Sequence, residues 1–501
     1  MSTLDWLASI NGKRATLYAS LVLVLSVLLV RYKRKPRHPP SLRPLPIIGH
    51  SLWLASGLAH LDFMKIGEQL KSDIIFLNVF GQHMVVLNSS KAASDLLEKR
   101  SSIYSDRLCP PFGKDPNLFN LSANLSMLGY NDTWRRHRRM LNKWLNVRAV
   151  IQFDSLLEHQ AALLLKRLLV QTLHPKPFET IADEFFFATG STMLKLVPLV
   201  LLASGFAVNI FPFLSYVPGW LPGTGWKRTA REWREHKEKT YRLLYKWTKS
   251  QVAAGIAEPS VLSFLMQDEE LTAGLTPEEK ELNLTELSIA LYGGGTETTS
   301  GTLMKFIAAM VINPDVQAKA QKEIDSIVGP DTFPRMSDRD RLPYVRNLIS
   351  EVLRWHTVSP VGVPHVCSQN DIYRGYNIEK GTVVIGNAWA MSRDKAVYED
   401  PELFNPDRFL NSDVPYLAAF GWGRRICPGL HFAESMLFIM ITSLLSTFTF
   451  YRKKDAGGRE IIPQLKGAPH SPSFTLKPFE FEFKVRSETH RNPVMGSNMT
   501  H

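Results

Sequence analysis

A single cysteine stands in the stretch Phe420-Gly-Trp-Gly423-Arg-Arg425-Ile-Cys427-Pro-Gly429, which runs directly into an apolar helical segment. Glycines allow the backbone to approach a bound group closely and to direct N–H groups at a sulfur atom. Arg425 supplies a positive charge that can bind an anionic group by charge-assisted hydrogen bonds. An isolated cysteine is more often an inert buried residue in a loop. The glycines and the arginine around Cys427 instead favour a thiolate that binds a metal centre.

These residues have the pattern of a haem-binding loop, because a thiolate is a strongly donating axial ligand of haem iron. The stretch matches the signature F-x-x-G-x-R-x-C-x-G of the cytochrome P-450 superfamily without a substitution. The chain resembles that family along essentially its whole length. The resemblance implies a mainly helical fold with small β-sheets. It also implies haem b (iron protoporphyrin IX) bound through Cys427, with a propionate on Arg425 and with Phe420, Gly421 and Gly429 beside the haem.

The composition agrees with a large folded protein. The 501 residues are 45% hydrophobic and 21% charged, and the formal net charge of +12 suggests an acidic protein or a phospholipid surface as partner. The three cysteines lie far apart, which argues against a disulfide scaffold and against a cysteine-rich zinc site. No basic run accompanies a nucleic-acid-binding motif, so we expect no nucleic-acid partner.

An uncharged segment rich in Leu and Val occupies residues 15–30. As a helix it spans about 24 Å at about 1.5 Å per residue, slightly less than a bilayer core, and flanking Lys and Arg side chains can extend it. A cleaved signal peptide would show small residues after the apolar run, whereas bulky basic residues follow Val30. We therefore predict a retained transmembrane anchor within residues 1–30. More positive charges follow the anchor than precede it, which predicts a cytoplasmic catalytic domain.

The rest of the chain divides into a short hinge and one large domain. Residues 31–50 are basic and rich in proline, which favours an extended spacer. Residues 51–501 contain no repeat or low-complexity break, so we interpret them as one catalytic domain. Residues 196–221 are apolar but interrupted by prolines. They are either a core helix with its connection or a mobile segment over the substrate channel that dips into the bilayer.

Within the large domain, helical periodicity dominates residues 134–442. Two short strands, 73–80 and 83–88, are predicted to form a hairpin around Gly81-Gln82. The alternation Phe479-Glu-Phe481-Glu-Phe483 predicts a strand with one buried face.

Three consecutive glycines, 293–295, lie inside a long helix predicted over residues 283–312. Each costs about 1 kcal/mol relative to alanine in a helix interior, so the helix must need close packing or an opening there. Close packing against a second helix is one explanation. In the family, the corresponding stretch passes over the haem and opens to make room for dioxygen. The resemblance implies that Thr298 hydrogen-bonds the bound oxygen and that Glu297, where aspartate is commoner, feeds it protons from solvent.

Glu351 and Arg354 are spaced i,i+3 on a predicted helix, where an exposed pair would contribute under about 1 kcal/mol. In the family, this E-x-x-R pair is buried and binds an arginine from a P-x-R-F segment. Here that segment is Pro406-Asp-Arg408-Phe409. The resemblance thus implies a buried triad of Glu351, Arg354 and Arg408 that holds the cysteine loop in place and takes no part in catalysis.

The stretch Trp134-Arg-Arg-His-Arg138 resembles the W-x-x-x-R element of the family. Trp134 and Arg138 share one helix face, and the resemblance implies that both bind a haem propionate. Arg107 and His365 fall where the family often has further propionate contacts. The remaining basic residues are expected to form a docking surface for an acidic electron donor near the thiolate side of the haem; they are Arg135, Arg136, Arg139, Lys143 and Arg424.

The resemblance as a whole implies a haem-thiolate monooxygenase of the endoplasmic reticulum membrane, closest to fungal microsomal members. NADPH would supply electrons through NADPH–cytochrome P-450 reductase, with cytochrome b5 as a further candidate donor. One oxygen atom of dioxygen would enter a lipophilic secondary metabolite or xenobiotic. Two alternatives stay open: an isomerase or dehydratase that acts without a reductase, and a non-catalytic haem-binding protein. The pocket is expected to be apolar and lined by residues 108–124, 358–364 and Ser473-Phe474.

Overall fold

The computed structural model describes residues 37–54, 56–172, 177–193, 206–209, 211–257, 260–410, 414–415, 418–468 and 473–496. The predicted anchor at residues 15–30 lies outside the described residues. So do residues 196–205 and 210 of the apolar stretch 196–221.

Helices dominate the described chain, so the predicted mainly helical fold is confirmed. The α-helices in the described residues are, in chain order, Ala59–Leu70 (α1), Ser90–Ala93 (α2), Pro111–Lys114 (α3), Asp132–Leu145 (α4), Asp154–Gln171 (α5), Pro177–Met193 (α6), Gly225–Ala253 (α7), Val261–Gln267 (α8), Glu269–Thr272 (α9), Pro277–Ile312 (α10), Pro314–Ile327 (α11), Pro343–Trp355 (α12), Ala388–Met391 (α13), Leu430–Thr447 (α14) and Glu488–Gly496 (α15). A π-helical turn, Ser94–Lys99, follows α2, and short 3-10 turns join several helices.

Helix α10 is the long helix that the sequence predicts, but it begins six residues earlier than residue 283. A capping box fixes this start, because the Thr276 hydroxyl accepts from the Glu279 N–H (3.2 Å) and the Glu279 carboxylate accepts from the Thr276 N–H (2.9 Å). Pro277 occupies the first helical position, which tolerates the missing N–H. These signals stand in the sequence itself.

The predicted hairpin is present as the antiparallel strands Ile74–Val79 (β1) and Gln82–Leu87 (β2). Phe80 and Gly81 both have positive φ, 50° and 88°, as in the tight turns that match the twist of the strands. The turn therefore lies one residue before the predicted Gly81-Gln82.

The hairpin extends into a four-stranded sheet with two further strands, His365–Val366 (β3) and Val383–Gly386 (β6). Strand β6 pairs parallel with β2, and β3 pairs antiparallel with β6. The strand order is therefore β1-β2-β6-β3. A separate pair joins Asp371–Tyr373 (β4) to Tyr376–Ile378 (β5). These four strands lie inside the region where helical periodicity dominates. They have two to four residues each, too few to give a period-2 signal.

The C-terminal strand is displaced from the prediction by two residues. Strand β8 (Phe481–Val485) pairs antiparallel with β7 (Phe448–Arg452), and Phe450 faces Phe483. The alternation is as predicted, because Phe481 and Phe483 are buried and Glu482 is exposed.

Residues 40–50 pack on the sheet. The Phe76 N–H donates to the Pro40 carbonyl (2.9 Å), and His50 bonds to Asn78 of the same strand through main-chain and ring nitrogens. The second half of the proline-rich hinge is thus fixed against β1.

Helix α14 lies at the centre of the core and begins three residues after Cys427. Among the described residues it is the one helix long and apolar enough to cross a membrane, with a mean hydropathy of 1.4. However, 78% of that window is buried inside the protein, as expected of a core helix. The cysteine loop therefore leads directly into a largely buried helix of the core.

Candidate functional site

The cysteine loop is held by main-chain contacts. The Cys427 N–H donates to the Phe420 carbonyl (2.8 Å), which closes the loop. Gly423 has φ 53°, and a Cβ atom there would overlap the Leu97 carbonyl oxygen of the π-helical turn. A Cβ atom at Gly386 of β6 would overlap the Trp422 ring. Glycine at these two positions lets the loop sit directly on the π-helical turn and on the sheet.

The Cys427 thiol lines a cavity of about 390 Å³ between the cysteine loop and helix α10, within the usual size range of ligand pockets. Burial raises the pKa of this thiol, and the Gly429 N–H and the Arg138 charge oppose that rise. Coordination to a metal ion displaces the proton of a thiol. Cys427 would therefore be a thiolate when the cavity holds a group that carries a metal.

The structure brings all the predicted haem-binding and proton-handling residues to this one cavity. The residues in question are Arg107, Trp134, Arg138, Glu297, Thr298, His365, Phe420, Gly421, Arg425, Cys427 and Gly429. They come from five separate parts of the chain.

Three arginines enter the cavity without a carboxylate partner among the described residues. The acceptors of their side-chain hydrogen bonds are main-chain carbonyls: Arg107 donates to Val363 (2.6 Å), Arg138 to Ile426 (2.7 Å), and Arg425 to Ser105 (2.7 Å) and Leu128 (2.8 Å). The buried Nε of Arg107 has no hydrogen-bond partner. The Trp134 ring lies beside two of the guanidinium groups, 4.3 Å from Arg425 and 5.8 Å from Arg138.

The charges of these arginines are only partly balanced. Burial and, to a smaller extent, the nearby Arg425 charge lower the pKa of Arg107 to about 9, against the opposing effect of Asp106. Burial likewise lowers the pKa of Arg425 to about 10, with Arg138 adding to the effect and Asp106 opposing it. An anion in the cavity would relieve this repulsion and would give Arg107 Nε an acceptor. A haem, whose two propionates are carboxylates, fits this set of residues together with the thiol.

His365 lies in the cavity but is poorly suited to bind a propionate directly. Its Nδ1 lies 2.6 Å from the Tyr104 carbonyl, which can only accept, so Nδ1 carries the proton. Burial and the nearby Arg107 charge hold the pKa of His365 well below its usual value. In this neutral tautomer Nε2 is an acceptor and cannot donate to a carboxylate.

Glu297 and Thr298 lie on the α10 wall of the cavity. The Thr298 hydroxyl donates to the Gly294 carbonyl one turn earlier (2.6 Å). Glu297 Oε1 accepts a hydrogen bond from the Ser473 hydroxyl (2.7 Å). Ser473 was predicted only as part of the pocket lining, and its contact with the acid could not be read from the sequence.

The glycines of α10 leave open space in the cavity. The helix is uninterrupted through them, without the opening that the resemblance implies. A Cβ atom at Gly294 would meet nothing within 4 Å. The close contact with α6 lies instead at Gly190, whose Cβ would meet the Tyr292 hydroxyl at 3.3 Å. Of the two explanations for the glycine run, the geometry at Gly294 favours space for a ligand over helix packing.

The predicted triad is assembled away from the cavity. Glu351 accepts two hydrogen bonds from Arg354, at 2.7 and 2.8 Å, and a third from Arg408 at 3.1 Å. The side chains of Glu351 and Arg354 are fully buried. Arg354 also donates to the Ser392 and Pro401 carbonyls. The triad thereby ties α12 to residues 392–408, the segment that leads to the cysteine loop.

The pocket lining matches the sequence prediction only in part. Of the predicted segments, Asn124, Val358, Ser359, Gly362, Val363 and Ser473 line the cavity. Phe112, Leu118, Phe119 and Leu121 instead pack in a separate cluster with Val208 and Ala230. The sequence analysis missed Leu141 and Leu145 of α4, although they continue the face of Trp134 and Arg138 at helical spacing. It also missed Phe432 and Leu437 of α14.

The chain is similar to known proteins over most of its length. The sequence profile of the family Cytochrome P-450 matches residues 39–478. The cytochrome P-450 monooxygenase COX1 of Coprinopsis cinerea is 34% identical over 92% of this chain and 94% of its own length. The tryptamine 4-monooxygenase of Psilocybe cyanescens is 32% identical, over 93% of this chain and 96% of its own. A zebra fish cytochrome P-450 solved with abiraterone superimposes with a TM-score of 0.67 at 23% identity, over 85% of this chain and 100% of that one, which shows the shared fold.

Replacing Glu351 with glutamine should destabilise the protein, because Arg354 would keep a buried charge without its partner. Such a loss costs about 3–5 kcal/mol, so we expect Glu351→Gln to lower the melting temperature and the fraction of haem-loaded protein, measured by thermal scan and absorbance. Asp407→Asn is the control, since it breaks only the exposed pair with Lys319 (2.7 Å), worth at most about 1 kcal/mol. Equal melting temperatures for the two variants would contradict the structural role of the triad.

Proposed function

The chain belongs to the cytochrome P-450 family and is a haem-thiolate monooxygenase, and from this membership we propose its partners, location and site roles. We propose that it takes electrons from NADPH through NADPH–cytochrome P-450 reductase and oxidises a lipophilic organic substrate. The observation that carries the proposal is the placement of the Cys427 thiol, three arginines without carboxylate partners and the Glu297–Thr298 pair in one cavity.

The protein residues would hold the haem from two sides. When bound, haem with an axial thiolate activates dioxygen for insertion into a substrate. Cys427 would bind the iron, while Arg107, Arg138 and Arg425 would bind the propionates by charge-assisted hydrogen bonds. Trp134 would keep two of these guanidinium groups in position through its ring contacts.

Glu297 and Thr298 would manage protons on the opposite wall. The Thr298 hydroxyl uses its hydrogen on the Gly294 carbonyl, so its lone pairs remain available as acceptors. The Glu297 carboxylate is held by Ser473 and lines the cavity, so it can take a proton from one side and deliver it on the other. Retention of this pair supports a monooxygenase over the isomerase, dehydratase and carrier alternatives.

A basic surface around Tyr130 would receive the electron donor. The Arg135 and Arg424 guanidinium groups lie over the Tyr130 ring, at 4.7 and 5.3 Å, and both side chains are exposed. Arg136 and Arg139 extend this surface along α4. Lys143, predicted as part of the surface, pairs with Asp268 (2.6 Å) and so contributes less free charge. We propose an acidic partner, the reductase, with cytochrome b5 as a second donor on the same surface.

An exposed apolar surface would rest on the membrane of the endoplasmic reticulum. Tyr216 and Trp220 are 88% and 81% exposed, and Ile47 next to the hairpin is 89% exposed. Phe211 joins the two areas through its ring contact with Phe80 at the hairpin tip (6.1 Å). Together with the predicted anchor in residues 1–30 and the hinge at 31–50, this surface supports a single-pass protein whose domain 51–501 faces the cytoplasm.

The apolar cavity walls and the similarity to fungal monooxygenases support a lipophilic secondary metabolite or xenobiotic as substrate. Leu125, Leu141, Leu291 and Val358 are among the apolar residues around the cavity. These surfaces favour apolar molecules without selecting one.

The thiolate ligand is tested by reducing the purified protein under carbon monoxide. The wild-type protein should give the red-shifted absorption band from which the family takes its name, because only a thiolate-bound haem iron produces it. Cys427→Ala should abolish that band, while Cys109→Ala, which removes a cysteine that does not line the cavity, should keep it. Survival of the band without the Cys427 sulfur would refute the assignment.

Thr298→Ala should divert electrons into hydrogen peroxide. Loss of a positioned hydroxyl in proton delivery costs about 10²-fold in the step that it serves, so more peroxide should be released per NADPH oxidised with the reductase. Thr285→Ala removes a threonine from the same helix outside the cavity lining and should leave the ratio unchanged. An unchanged ratio in Thr298→Ala would remove this residue from proton delivery.

Membrane topology is tested on intact microsomes that contain the full chain. We expect the chain to stay in the membrane pellet after alkaline carbonate washing, because a hydrophobic span resists extraction. Protease added outside should digest the catalytic domain, since the flanking charges favour a cytoplasmic domain. A domain that detergent alone makes accessible would mean the opposite orientation.

A further inference from the structure

Five polar side chains lie behind the turn that carries Ser473. Each has one buried atom without a hydrogen-bond partner among the described residues. Their orphaned atoms are His60 Nε2, Lys305 Nζ, His356 Nδ1, Thr357 Oγ1 and Trp389 Nε1. Four of these residues are at most 6% exposed, namely His60, Lys305 (1%), Thr357 and Trp389. We call these five residues the buried polar cluster.

Ring contacts show that these residues are neighbours. His60 and His356 lie 4.7 and 5.4 Å from the Trp389 ring. The same two histidines lie 5.7 and 5.3 Å from the Phe474 ring, and Lys305 Nζ is 5.4 Å from it. Trp389 lies 5.0 Å from the same ring, so four members of the cluster surround Phe474, and Thr357 follows His356 in the chain. The members come from α1, α10, α13 and the residues just after α12.

Burial disfavours the charged forms of the cluster residues. It holds the pKa of Lys305 and of His356 well below their usual values and lowers that of His60 to about 4. The charged group that faces both histidines is Arg393, which lies over the Trp389 ring (3.5 Å) and pairs with Glu402 (3.0 Å). Among the described residues, Lys305 Nζ has no hydrogen-bond partner, so no counter-ion stabilises a charge there.

Internal water explains this arrangement best. A buried polar atom without a partner costs about 1–3 kcal/mol, and such atoms are normally satisfied by ordered water. A buried water molecule typically makes about three hydrogen bonds to such groups. Four residues with orphaned atoms around one ring, and a fifth such atom on the adjacent Thr357, offer enough partners for more than one water molecule.

Two hydrogen bonds attach the turn of Ser473 and Phe474 to the cavity wall, so the buried polar cluster lies next to Glu297. The Phe474 N–H donates to the Val358 carbonyl (2.8 Å), and Ser473 donates to Glu297 Oε1 (2.7 Å). Glu297 and Lys305 lie eight residues apart on α10, on the same face. Gly301 stands between them, and a Cβ atom there would meet Val358 at 3.5 Å. On this face of α10, the position between Glu297 and Lys305 therefore carries no side chain.

We propose that the buried polar cluster holds internal water that supplies protons to Glu297 through Ser473, with Lys305 as a positioning residue. This inference rests on the proposed monooxygenase function. When Glu297 gives up a proton to the cavity, the Ser473 hydroxyl proton passes to Glu297 Oε1 and a water proton replaces it on Ser473. The water molecule that gave this proton regains one from bulk solvent along the chain of internal water, so one proton moves inward and no hydroxide is left behind. The amine of Lys305 hydrogen-bonds more than one water molecule, which orders them.

Lys305→Met separates this role from a structural one. Methionine is a flexible, apolar side chain of similar length that fills the space without an amine. We expect haem loading, the carbon monoxide band and the melting temperature to be retained, because removal of a desolvated amine does not destabilise a core. The peroxide released per NADPH and the solvent isotope effect on NADPH oxidation should both rise. Lys280→Met, near the start of the same helix, should change neither.

A crystal structure of the haem-loaded wild-type protein gives a readout that does not depend on turnover. Water oxygen atoms should lie about 3 Å from Lys305 Nζ, His356 Nδ1 and Trp389 Nε1. A dry cluster, or an anomalous bromide peak there after a bromide soak, would overturn the proposal. So would a hydrated cluster with unchanged coupling in Lys305→Met. A wild-type protein that fails to oxidise NADPH with the reductase would refute the proposed function instead, and the crystal structure would still show whether the cluster is hydrated.

Discussion

Three guanidinium groups share one cavity, and none of them pairs with a carboxylate among the described residues, so a largely unbalanced positive charge governs the site. Arg107, Arg138 and Arg425 donate hydrogen bonds to main-chain carbonyls. Burial lowers the pKa of each, and a neighbouring arginine adds to this effect at Arg107 and at Arg425. The resulting repulsion is relieved only in part by Asp106. A ligand with two carboxylates relieves it, so binding of the haem contributes directly to the stability of the folded state. The contact between Arg138 and the Ile426 carbonyl places part of this charge one residue from Cys427, so the proposed anion-binding groups and the proposed metal-binding sulfur form one unit.

Elsewhere the same fold balances its buried charges internally. In the triad, one carboxylate accepts from two arginines, and Arg354 satisfies its remaining donors on carbonyls. That arrangement is complete without a ligand, which suits a structural role. In the buried polar cluster charge is disfavoured rather than balanced, because burial lowers the pKa of Lys305 and of the two histidines. The contrast separates groups that need a cofactor from groups that need only the protein or water.

The sequence predicts the parts of the site that depend on local spacing. Cys427 with its glycines, the i,i+4 pair Trp134 and Arg138, and the i,i+3 pair Glu351 and Arg354 are each defined within ten residues. Contacts across long separations are different. The hydrogen bond from Ser473 to Glu297 joins residues 176 apart, and the strands of residues 365–386 have too few residues to show a period. No local pattern carries this information, because tertiary packing alone creates it. Even a resemblance to a family left the lining of the cavity only partly predicted, since Phe112 and Phe119 pack in a cluster of their own.

Helix α10 contributes both to the wall of the cavity and to the buried core. At Gly294 its surface faces open space, at Glu297 it presents an acid to the cavity, and at Lys305 it enters the core. The part of α10 that lies in the core needs no ionisable residue for packing. Among the described residues, Lys305 Nζ has no hydrogen-bond partner to offset the free-energy cost of its burial. Natural sequences are mostly consistent between local chemistry and burial, and the exceptions concentrate where function requires them. Because this exception lies on the same helix face as the cavity acid, the departure from a well-packed apolar core belongs with the chemistry of the cavity rather than with folding.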